Sequence, residues 1–348
     1  MRGHRQHDEH PKRACDHPST LARRSIDSSY AASVRVVSTS SLPIDLAEQV
    51  TRALPGTEVF VPATGHVGLV DVEQADALVC LLLDRIDDAA LARMPKVRVV
   101  ANCAVGVDNV DVPAATRRGV VVTNTPDVLT EATAELAFTL MLAAARRLGE
   151  GERLVRSGQW GGWALDQLLG VQLAGKTLGI IGYGRIGKAM ARRAEAFGMR
   201  VIHTGRSGGL PVEELFAKAD VISLHCPLTP ETRHIVNAQT LGLMKPTAIL
   251  VNTARGACVD EGALVDALTA GQIFGAALDV YANEPAIDTR LLTCPRLTLA
   301  PHIGSATTET RTAMAQLCAD AVIAVLSGRR PTNIVNPTWP AAEPKART

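Results

Sequence analysis

Three segments in the C-terminal half of the chain carry ionisable side chains directly after runs of apolar residues. They are VNTARG with Arg255, ALDVYANEP with Asp279 and Glu284, and APHIGSAT with His302. If the apolar runs are strands of a parallel sheet, these side chains follow the strand ends at which such sheets bind ligands. We therefore expect a cation, two carboxylates and an imidazole to converge at one edge.

These residue types suit the reduction of a 2-oxo acid. A hydride added to the carbonyl carbon generates an alkoxide, which needs a proton and a nearby positive charge. His302 can supply the proton as imidazolium, and a carboxylate such as Glu284 beside it should raise its free pKa of about 6.5. Arg255 can bind the carboxylate and carbonyl oxygens together. Alone, His302 could be a structural histidine and Glu284 a turn acid, so the hypothesis rests on the combination.

A glycine-rich turn predicts where a dinucleotide would bind. The strand-like TLGII runs directly into GYGRIG, which places Gly182, Gly184 and Gly187 at GxGxxG spacing. Such glycines permit a tight turn, close approach of a pyrophosphate to the backbone, and close packing of helix on strand. An accidental glycine turn is the alternative, and the strand before it and the helix after it favour the dinucleotide.

The segment VIHTGRSGG lacks an expected carboxylate. Proteins that bind NAD place an acid about 20 residues after the glycines, where it contacts the ribose 2′-hydroxyl. Here Gly205 occupies that place, followed by Arg206 and Ser207. A guanidinium can pair with a 2′-phosphate, and no acid is present to repel it. We predict that NADP(H) is preferred, with NAD(H) possible if Arg206 is only a solvated loop residue.

Composition excludes several functions. Lys and Arg number 36 and Asp and Glu 35, so no charged field would gather nucleic acid or anionic lipid. The longest apolar run, residues 136–145, is far shorter than the ~20 residues that span a membrane. The seven cysteines have no metal-ligand spacing, so we expect no metal and a reducing, cytoplasmic location.

Alternating apolar strands and helical segments predict an α/β fold with two doubly wound parallel sheets and a cleft between them. We expect five strands between residues 34 and 124 and six between 177 and 301, a helix over 131–148 that crosses between domains, and a last helix over 306–326 capped by Ser305. The substrate domain would comprise 33–129 and 308–336, and the cofactor domain 130–307. Residues 1–32 are expected to be a disordered leader and 337–348 a tail.

Together these segments resemble the D-isomer-specific 2-hydroxyacid dehydrogenase family over about residues 34–336. The signature-like segments are NCAVGVDNVD, VTNTPDVLTEATAEL, GKTLGIIGYGRIG, SLHCPLTPETRH, MKPTAILVNTARGACVDEGAL, AALDVYANEP and LAPHIGSAT. The resemblance implies a flavodoxin-like substrate domain and a Rossmann cofactor domain. The first two segments and the missing acid look most like the glyoxylate/hydroxypyruvate reductase branch.

The resemblance also implies residue roles. Arg255 would bind the 2-oxo acid, Glu284 would pair with His302, and His302 would donate the proton. The backbone amides of Val105 and Gly106 would hold the substrate carboxylate. Combined with the glycine turn and the segment after it, the cofactor-binding set becomes Gly182, Gly184, Arg185, Ile186, Gly187, Arg206, Ser207, Cys226, Pro227, Thr232, Thr253, Ala254, Asp279, His302 and Gly304.

The family resemblance further implies a homodimer, with the insertion around residues 160–170 as its dimer arm. Two alternatives remain open. One is a D-2-hydroxyacid dehydrogenase for another substrate, phosphoglycerate-like or bulkier. The other is a dinucleotide-sensing, corepressor-like scaffold, which turnover at an enzymatic rate, above ~1 per second, would exclude.

Overall fold

The computed structural model describes residues 33–206 and 208–336. The predictions for the leader 1–32, for Ser207 and for the tail 337–348 therefore lie outside the described residues. Within the described part of the chain, no helix is both long enough and apolar enough to cross a membrane.

The first sheet contains five parallel strands in the order β2-β1-β3-β4-β5. These are β1 (Arg35–Ser38), β2 (Glu58–Phe60), β3 (Ala77–Cys80), β4 (Val99–Asn102) and β5 (Val121–Thr123). This is the strand order of flavodoxin-like folds. All residues of β3 and β4 are buried, which explains their continuous apolar sequence, since helices cover both faces of the sheet.

The second sheet contains seven strands in the order β12-β11-β10-β9-β6-β7-β8. These are β6 (Thr177–Ile181), β7 (Arg200–Gly205), β8 (Gly208–Gly209), β9 (Val221–Leu224), β10 (Ile249–Asn252), β11 (Gly275–Leu278) and β12 (Leu297–Leu299). The order reverses direction between β6 and β9, the switch point at which Rossmann sheets bind dinucleotides. The expectation of six strands was one short, because β8 is a two-residue antiparallel strand of glycines that carries no apolar pattern.

Eleven helices of the described residues cover the two sheets. They are α1 (Leu46–Ala53), α2 (Asp88–Ala92), α3 (Val112–Arg117), α4 (Thr130–Ala145), α5 (Leu148–Arg156), α6 (Arg185–Ala196), α7 (Val212–Lys218), α8 (Ala238–Leu243), α9 (Glu261–Thr269), α10 (Thr289–Thr293) and α11 (Thr308–Leu326). The predicted helix over 131–148 is two helices, since α4 ends before Arg147, which adopts a left-handed backbone with φ 51°.

The long helices α4 and α11 serve different sheets. The buried face of α4 packs with α6 and the strands of the second sheet. The buried face of α11, which includes Cys318 and Val322, packs against the first sheet and α1. The predicted cap of α11 was wrong: Thr307 accepts from the backbone N–H of Thr310, whereas Ser305 lies in the preceding turn, where its carbonyl accepts from Thr307. The proposed domain boundaries stay predictions.

Candidate active site

A histidine and a glutamate meet at the carboxyl end of the second sheet. His302 follows β12 and Glu284 follows β11, and the distance from His302 Nδ1 to Glu284 Oε2 is 2.6 Å. Since an ionised carboxylate can only accept a hydrogen bond, Nδ1 carries a proton and Nε2 is left for another partner. The two side chains are 28% and 18% exposed. The pair is thus shielded but remains accessible to a small molecule.

Opposing effects act on the pKa of Glu284. Burial raises the pKa, whereas hydrogen bonds from His302 and from the N–H of Tyr281, and the positive charge of Arg255, lower it. The lowering effects prevail, and the pKa lies below its ordinary value. Glu284 therefore stays ionised at neutral pH and can hold the imidazole in one orientation.

Asp279 anchors the loop that carries His302. Its carboxylate accepts from the N–H of Ile303 at 2.7 Å and of Gly304 at 2.8 Å, and its carbonyl accepts from the N–H of His302 at 2.9 Å. Burial raises the pKa of Asp279, and these donors only partly oppose it. His302 has φ 54°, a backbone conformation that non-glycine residues seldom adopt, and Asp279 supports it. The expected cofactor contacts of Asp279 and Gly304 stay predictions.

Arg255 stands on the turn after β10. Asn252, fully buried at the end of that strand, donates to the Arg255 carbonyl at 2.9 Å. The next residue, Gly256, permits a close approach: a Cβ there would lie 1.8 Å from the carbonyl carbon of Tyr281. The turn that bears the arginine is therefore packed directly against the segment that leads to the glutamate.

The loop predicted to bind the substrate carboxylate follows β4. The carbonyls of Val105 and Gly106 accept from Asn124 Nδ2 and Asn102 Nδ2, both at 2.8 Å. Within the described residues, the N–H groups of Val105 and Gly106 donate to no acceptor. A Cβ at position 106 would lie 1.8 Å from Nη2 of Arg255, so the loop backbone and the guanidinium are in direct contact. The structure thus brings together the cation and the backbone donors that the sequence predicted.

The glycine turn after β6 fits a dinucleotide phosphate. Gly182 has φ 96°, and a Cβ there would lie 2.6 Å from the backbone nitrogen of Cys226. A Cβ at Gly187 would lie 2.3 Å from the Gly182 carbonyl oxygen, which shows how closely α6 packs on the turn. Gly184 has open space beside it, and no side chain caps α6 at this end. The first N–H groups of α6 are therefore available to a phosphate.

Two further members of the predicted set begin α6. Ile186 is partly buried and packs against the core under the sheet. Arg185 is exposed, and its Nε lies 2.5 Å from Oδ1 of Asp127, which precedes α4. Of the two, only Arg185 offers hydrogen-bond donors from its side chain at the phosphate end of the helix.

The position of the missing acid lies beside the glycine turn. A Cβ at Gly205 would lie 3.4 Å from the backbone nitrogen of Tyr183, so a carboxylate at that position would stand against the turn. Arg206 is the next residue and is exposed. The remaining members of the predicted set follow β9 and β10: Cys226, Thr253 and Ala254 are buried, Pro227 is exposed and Thr232 is partly exposed.

The sequence interpretation missed His225, which ends the segment against which Gly182 packs. A Cβ at Gly182 would lie 2.6 Å from the His225 carbonyl carbon. Its Nε2 lies 2.9 Å from Ser223 Oγ, and burial lowers its pKa to about 4. The ring is therefore neutral at neutral pH. From sequence alone, a single histidine at a strand end could equally be buried beside the glycine turn or exposed at the surface.

The interpretation also missed two polar residues of the segment NCAVGVDNVD. Asn109 Nδ2 donates to the carbonyls of Leu81 and Asp84, both at 3.1 Å, and so ties the loop after β3 to the loop after β4. Asp108 forms an ion pair with Arg255. Both residues come shortly after an apolar strand, which is the pattern that could have identified them. The sequence does not indicate which residues they contact.

The two strand orders, with a glycine turn at the switch point of the second sheet, are those of a two-domain, dinucleotide-dependent enzyme. The arginine and the paired histidine at the strand ends are the groups that a dehydrogenase of oxo acids requires. Comparison with known proteins gives the family. Residues 138–304 match the NAD binding domain of the D-isomer specific 2-hydroxyacid dehydrogenases. The chain belongs to the D-isomer specific 2-hydroxyacid dehydrogenase family, as the sequence resemblance predicted.

Individual relatives cover most of the chain. A glyoxylate reductase from Thermococcus litoralis is 49% identical over 283 residues, 77% of this chain and 86% of that protein. One from Aeropyrum pernix is 50% identical over 293 residues, 80% of this chain and 88% of that protein. The solved structure of an NADPH-dependent glyoxylate/hydroxypyruvate reductase from Sinorhizobium meliloti, in complex with NADP and malonate, superposes with a TM-score of 0.74 at 35% identity, covering 87% of this chain and 96% of that one.

Proposed function

We propose that the protein reduces a small 2-oxo acid, glyoxylate or hydroxypyruvate, to the 2-hydroxy acid, of D configuration where the product is chiral, with NAD(P)H. The observation that carries this proposal is the His302–Glu284 hydrogen bond of 2.6 Å, formed beside the turn that bears Arg255. The relatives described as glyoxylate reductases at about half identity support the same substrate class. The roles of the site residues are part of the proposal.

The nicotinamide cofactor, when bound, supplies the hydride. Glu284 holds the imidazole through Nδ1, so Nε2 of His302 faces the substrate and, when the ring is protonated, gives its proton to the carbonyl oxygen. The positive charge of Arg255 stabilises the oxygen as it becomes negative. A neutral histidine whose single ring proton is on Nδ1 has no proton at Nε2 to donate, so the donor must be the imidazolium, whose charge the Glu284 carboxylate balances. The cation is needed separately, for the negative charge that develops on the substrate oxygen.

The substrate carboxylate is held by two kinds of donor. One is the guanidinium of Arg255, which lies against Gly106. The other is the pair of backbone N–H groups of Val105 and Gly106, in the loop after β4. A carboxylate bound by both is fixed in position and orientation, which lowers the entropic part of the barrier. A substrate without the carboxylate would lose this anchoring.

We also propose that NADP(H) is preferred over NAD(H). Gly205 removes the acid that would repel a 2′-phosphate, and the exposed Arg206 follows it. The Arg206→Asp variant should shift the ratio of kcat/KM values toward NADH, because a carboxylate repels the phosphate and accepts from a ribose hydroxyl. Unchanged preference would remove Arg206 from the 2′-phosphate site.

A homodimer is the proposed assembly. The segment 148–169 exposes several large apolar side chains, with Trp163 and Leu165 each 81% exposed. Large apolar side chains left exposed at several positions of one segment indicate an interaction site. A reducing, cytoplasmic location is a further proposal, and it rests on the six free cysteines among the described residues.

Initial rates of reduced cofactor oxidation test the proposal. Glyoxylate, hydroxypyruvate, pyruvate and phenylpyruvate would each be tried with NADPH and with NADH. Rapid turnover of the two small acids is the expected result. Faster turnover of phenylpyruvate would reassign the enzyme to bulkier substrates, and absence of turnover with all four would overturn the reaction.

A further inference from the structure

An ion pair joins the loop after β4 to the turn after β10. Nε of Arg255 lies 3.1 and 3.2 Å from the two carboxylate oxygens of Asp108, and Nη2 lies 3.0 Å from Oδ1. The two residues are 147 positions apart in the sequence. Their side chains are 26% and 43% exposed. Asp108 therefore connects the first sheet to the arginine of the second.

A count of donors shows what this contact does to Arg255. A guanidinium has five N–H groups. Nε donates to Asp108, and one N–H of Nη1 donates to the Ala254 carbonyl at 2.8 Å. Nη2 lies 3.0 Å from Oδ1 of Asp108 as an ion-pair contact without a hydrogen bond. One N–H on Nη1 and both N–H groups on Nη2 are therefore left, so each terminal nitrogen still offers a donor. Two donors on one planar group match the carboxylate oxygen and the carbonyl oxygen of a 2-oxo acid.

Asp108 also determines where those two donors lie. The Ala254 carbonyl alone would leave the guanidinium free to rotate about its last bonds, because it engages only one nitrogen. With Asp108 engaged as well, Nη2 is held against Gly106, where a Cβ would lie 1.8 Å away. The donors are thus fixed next to the N–H groups of the same loop.

Two effects of the aspartate oppose each other. Its negative charge reduces the attraction of the site for an anionic substrate, whereas its hydrogen bonds hold the cation in place. The pair is part-exposed, so solvent screens the long-range charge effect. The short, directional bonds are less affected, and positioning should prevail.

We propose that Asp108 is the positioning residue of the substrate clamp, which orients Arg255 across the two sheets so that two N–H groups face the 2-oxo acid. This inference rests on the proposed function, since it assigns Arg255 to the substrate.

The test compares Asp108→Ala and Asp108→Asn with a matched control, Asp88→Asn. Asp88, the first residue of α2, forms an ion pair with Arg118 at 3.0 Å, and the two side chains are 58% and 38% exposed. This pair lies outside the site. Five quantities would be measured for each variant. They are kcat and KM for glyoxylate, the Kd of oxamate, a non-reacting 2-oxo acid analogue, in the presence of NADPH, the Kd of NADPH alone by fluorescence, and the melting temperature.

We expect Asp108→Ala to weaken oxamate binding and raise the KM for glyoxylate by ~10- to 100-fold, the range for a lost hydrogen bond to a charged group. The Kd of NADPH and the melting temperature should match those of Asp88→Asn. Asp108→Asn should give values of the oxamate Kd and the glyoxylate KM between those of the wild type and Asp108→Ala, because an amide keeps one acceptor oxygen.

Two outcomes would overturn the inference: unchanged or tighter oxamate binding in Asp108→Ala, or an equal loss of NADPH binding and thermal stability, which would indicate a structural role. Oxamate binding requires no turnover. A wild-type enzyme that fails to reduce glyoxylate while its oxamate affinity still depends on Asp108 would refute the proposed substrate and support the clamp.

Discussion

At the scale of single residues, the proposed catalytic pair depends on one short contact. Glu284 Oε2 and His302 Nδ1 are 2.6 Å apart, and no other described side chain bonds to the imidazole. His302→Ala should lower kcat by ~10²- to 10⁴-fold, the usual contribution of a positioned acid. The Kd of the reduced cofactor, measured by fluorescence, should change little. A variant that retains near-normal turnover would contradict the assignment of His302 as proton donor.

The ionisation of Glu284 should be measurable as stability. Its pKa is lowered in the folded protein, because the contributions of His302, Tyr281 and Arg255 outweigh burial. A carboxyl group whose pKa is lowered by folding stabilises the protein at pH values above its ordinary pKa of 4.5. This contribution is lost as the pH falls through the pKa of the folded state. The free energy of unfolding should therefore drop more steeply between about pH 6 and about pH 3 in the wild type than in Glu284→Gln.

A matched control separates this effect from surface charge. Glu73 also has a lowered pKa, chiefly from its hydrogen bond with Arg93, but that pair is about half exposed. Added salt should remove any difference that Glu73→Gln makes, while the Glu284 difference persists because the pair is shielded. Urea titrations at low and high salt would measure both. A Glu284→Gln curve parallel to the wild type would show that the pair adds no pH-dependent stability.

Sequence patterns placed several polar side chains directly after apolar strands. The structure brings Arg255, Glu284 and His302 to the carboxyl end of the second sheet, because the ends of parallel strands converge whatever the details of packing. Their roles in the reaction stay predictions. Asp108 was not found, since its partner lies 147 positions away and a carboxylate in a loop can face many directions. The roles of Cys226 and Thr232 beside a cofactor are still untested predictions.

At the scale of elements, the site depends on how closely two turns approach. Gly256 begins the short turn after Arg255, and a Cβ there would lie 1.8 Å from the backbone of Tyr281. Gly256→Ala must therefore push the two segments apart, at a cost of about 1–3 kcal/mol, and should reduce kcat/KM by at least ~10-fold since Arg255 moves with the turn.

Gly262→Ala is the matched control for this prediction. Gly262 lies in α9, and its Cβ would meet only side-chain atoms at 3.3 Å or more. Alanine favours a helix over glycine, so this variant should be as stable as the wild type or more so. Thermal unfolding and kcat/KM would be measured for both. Equal behaviour of the two variants would mean that the close approach has no functional role.

Sequence patterns located most elements but not their ends. The five strands of the first sheet and the six parallel strands of the second were all predicted, because buried parallel strands are continuous apolar runs. The ends of α4 and α11 were displaced, since Arg147 and Thr307 end or begin a helix through backbone conformation and a single hydrogen bond. Hydrophobic periodicity is insensitive to both.

At the scale of the whole molecule, one surface stands out by its apolar character. The segment 148–169 exposes Trp160, Trp163, Leu165 and Leu169, each more than half accessible, although the chain has only three tryptophans. Burial of such side chains in a second copy would contribute ~25 cal/mol per Å². A stable interface needs about 800 Å² from each partner, to which these four side chains would contribute.

The double variant Trp163→Ser, Leu165→Ser should therefore convert a dimer to a monomer. Because both side chains are 81% exposed, their replacement removes little buried surface within one chain, and the monomer should stay folded by circular dichroism. Leu292→Ser is the control, since Leu292 is 60% exposed and lies outside the segment. Sedimentation velocity over a range of concentrations would measure the mass. A wild type that sediments as a monomer, or a double variant that stays dimeric, would move the interface elsewhere or remove it.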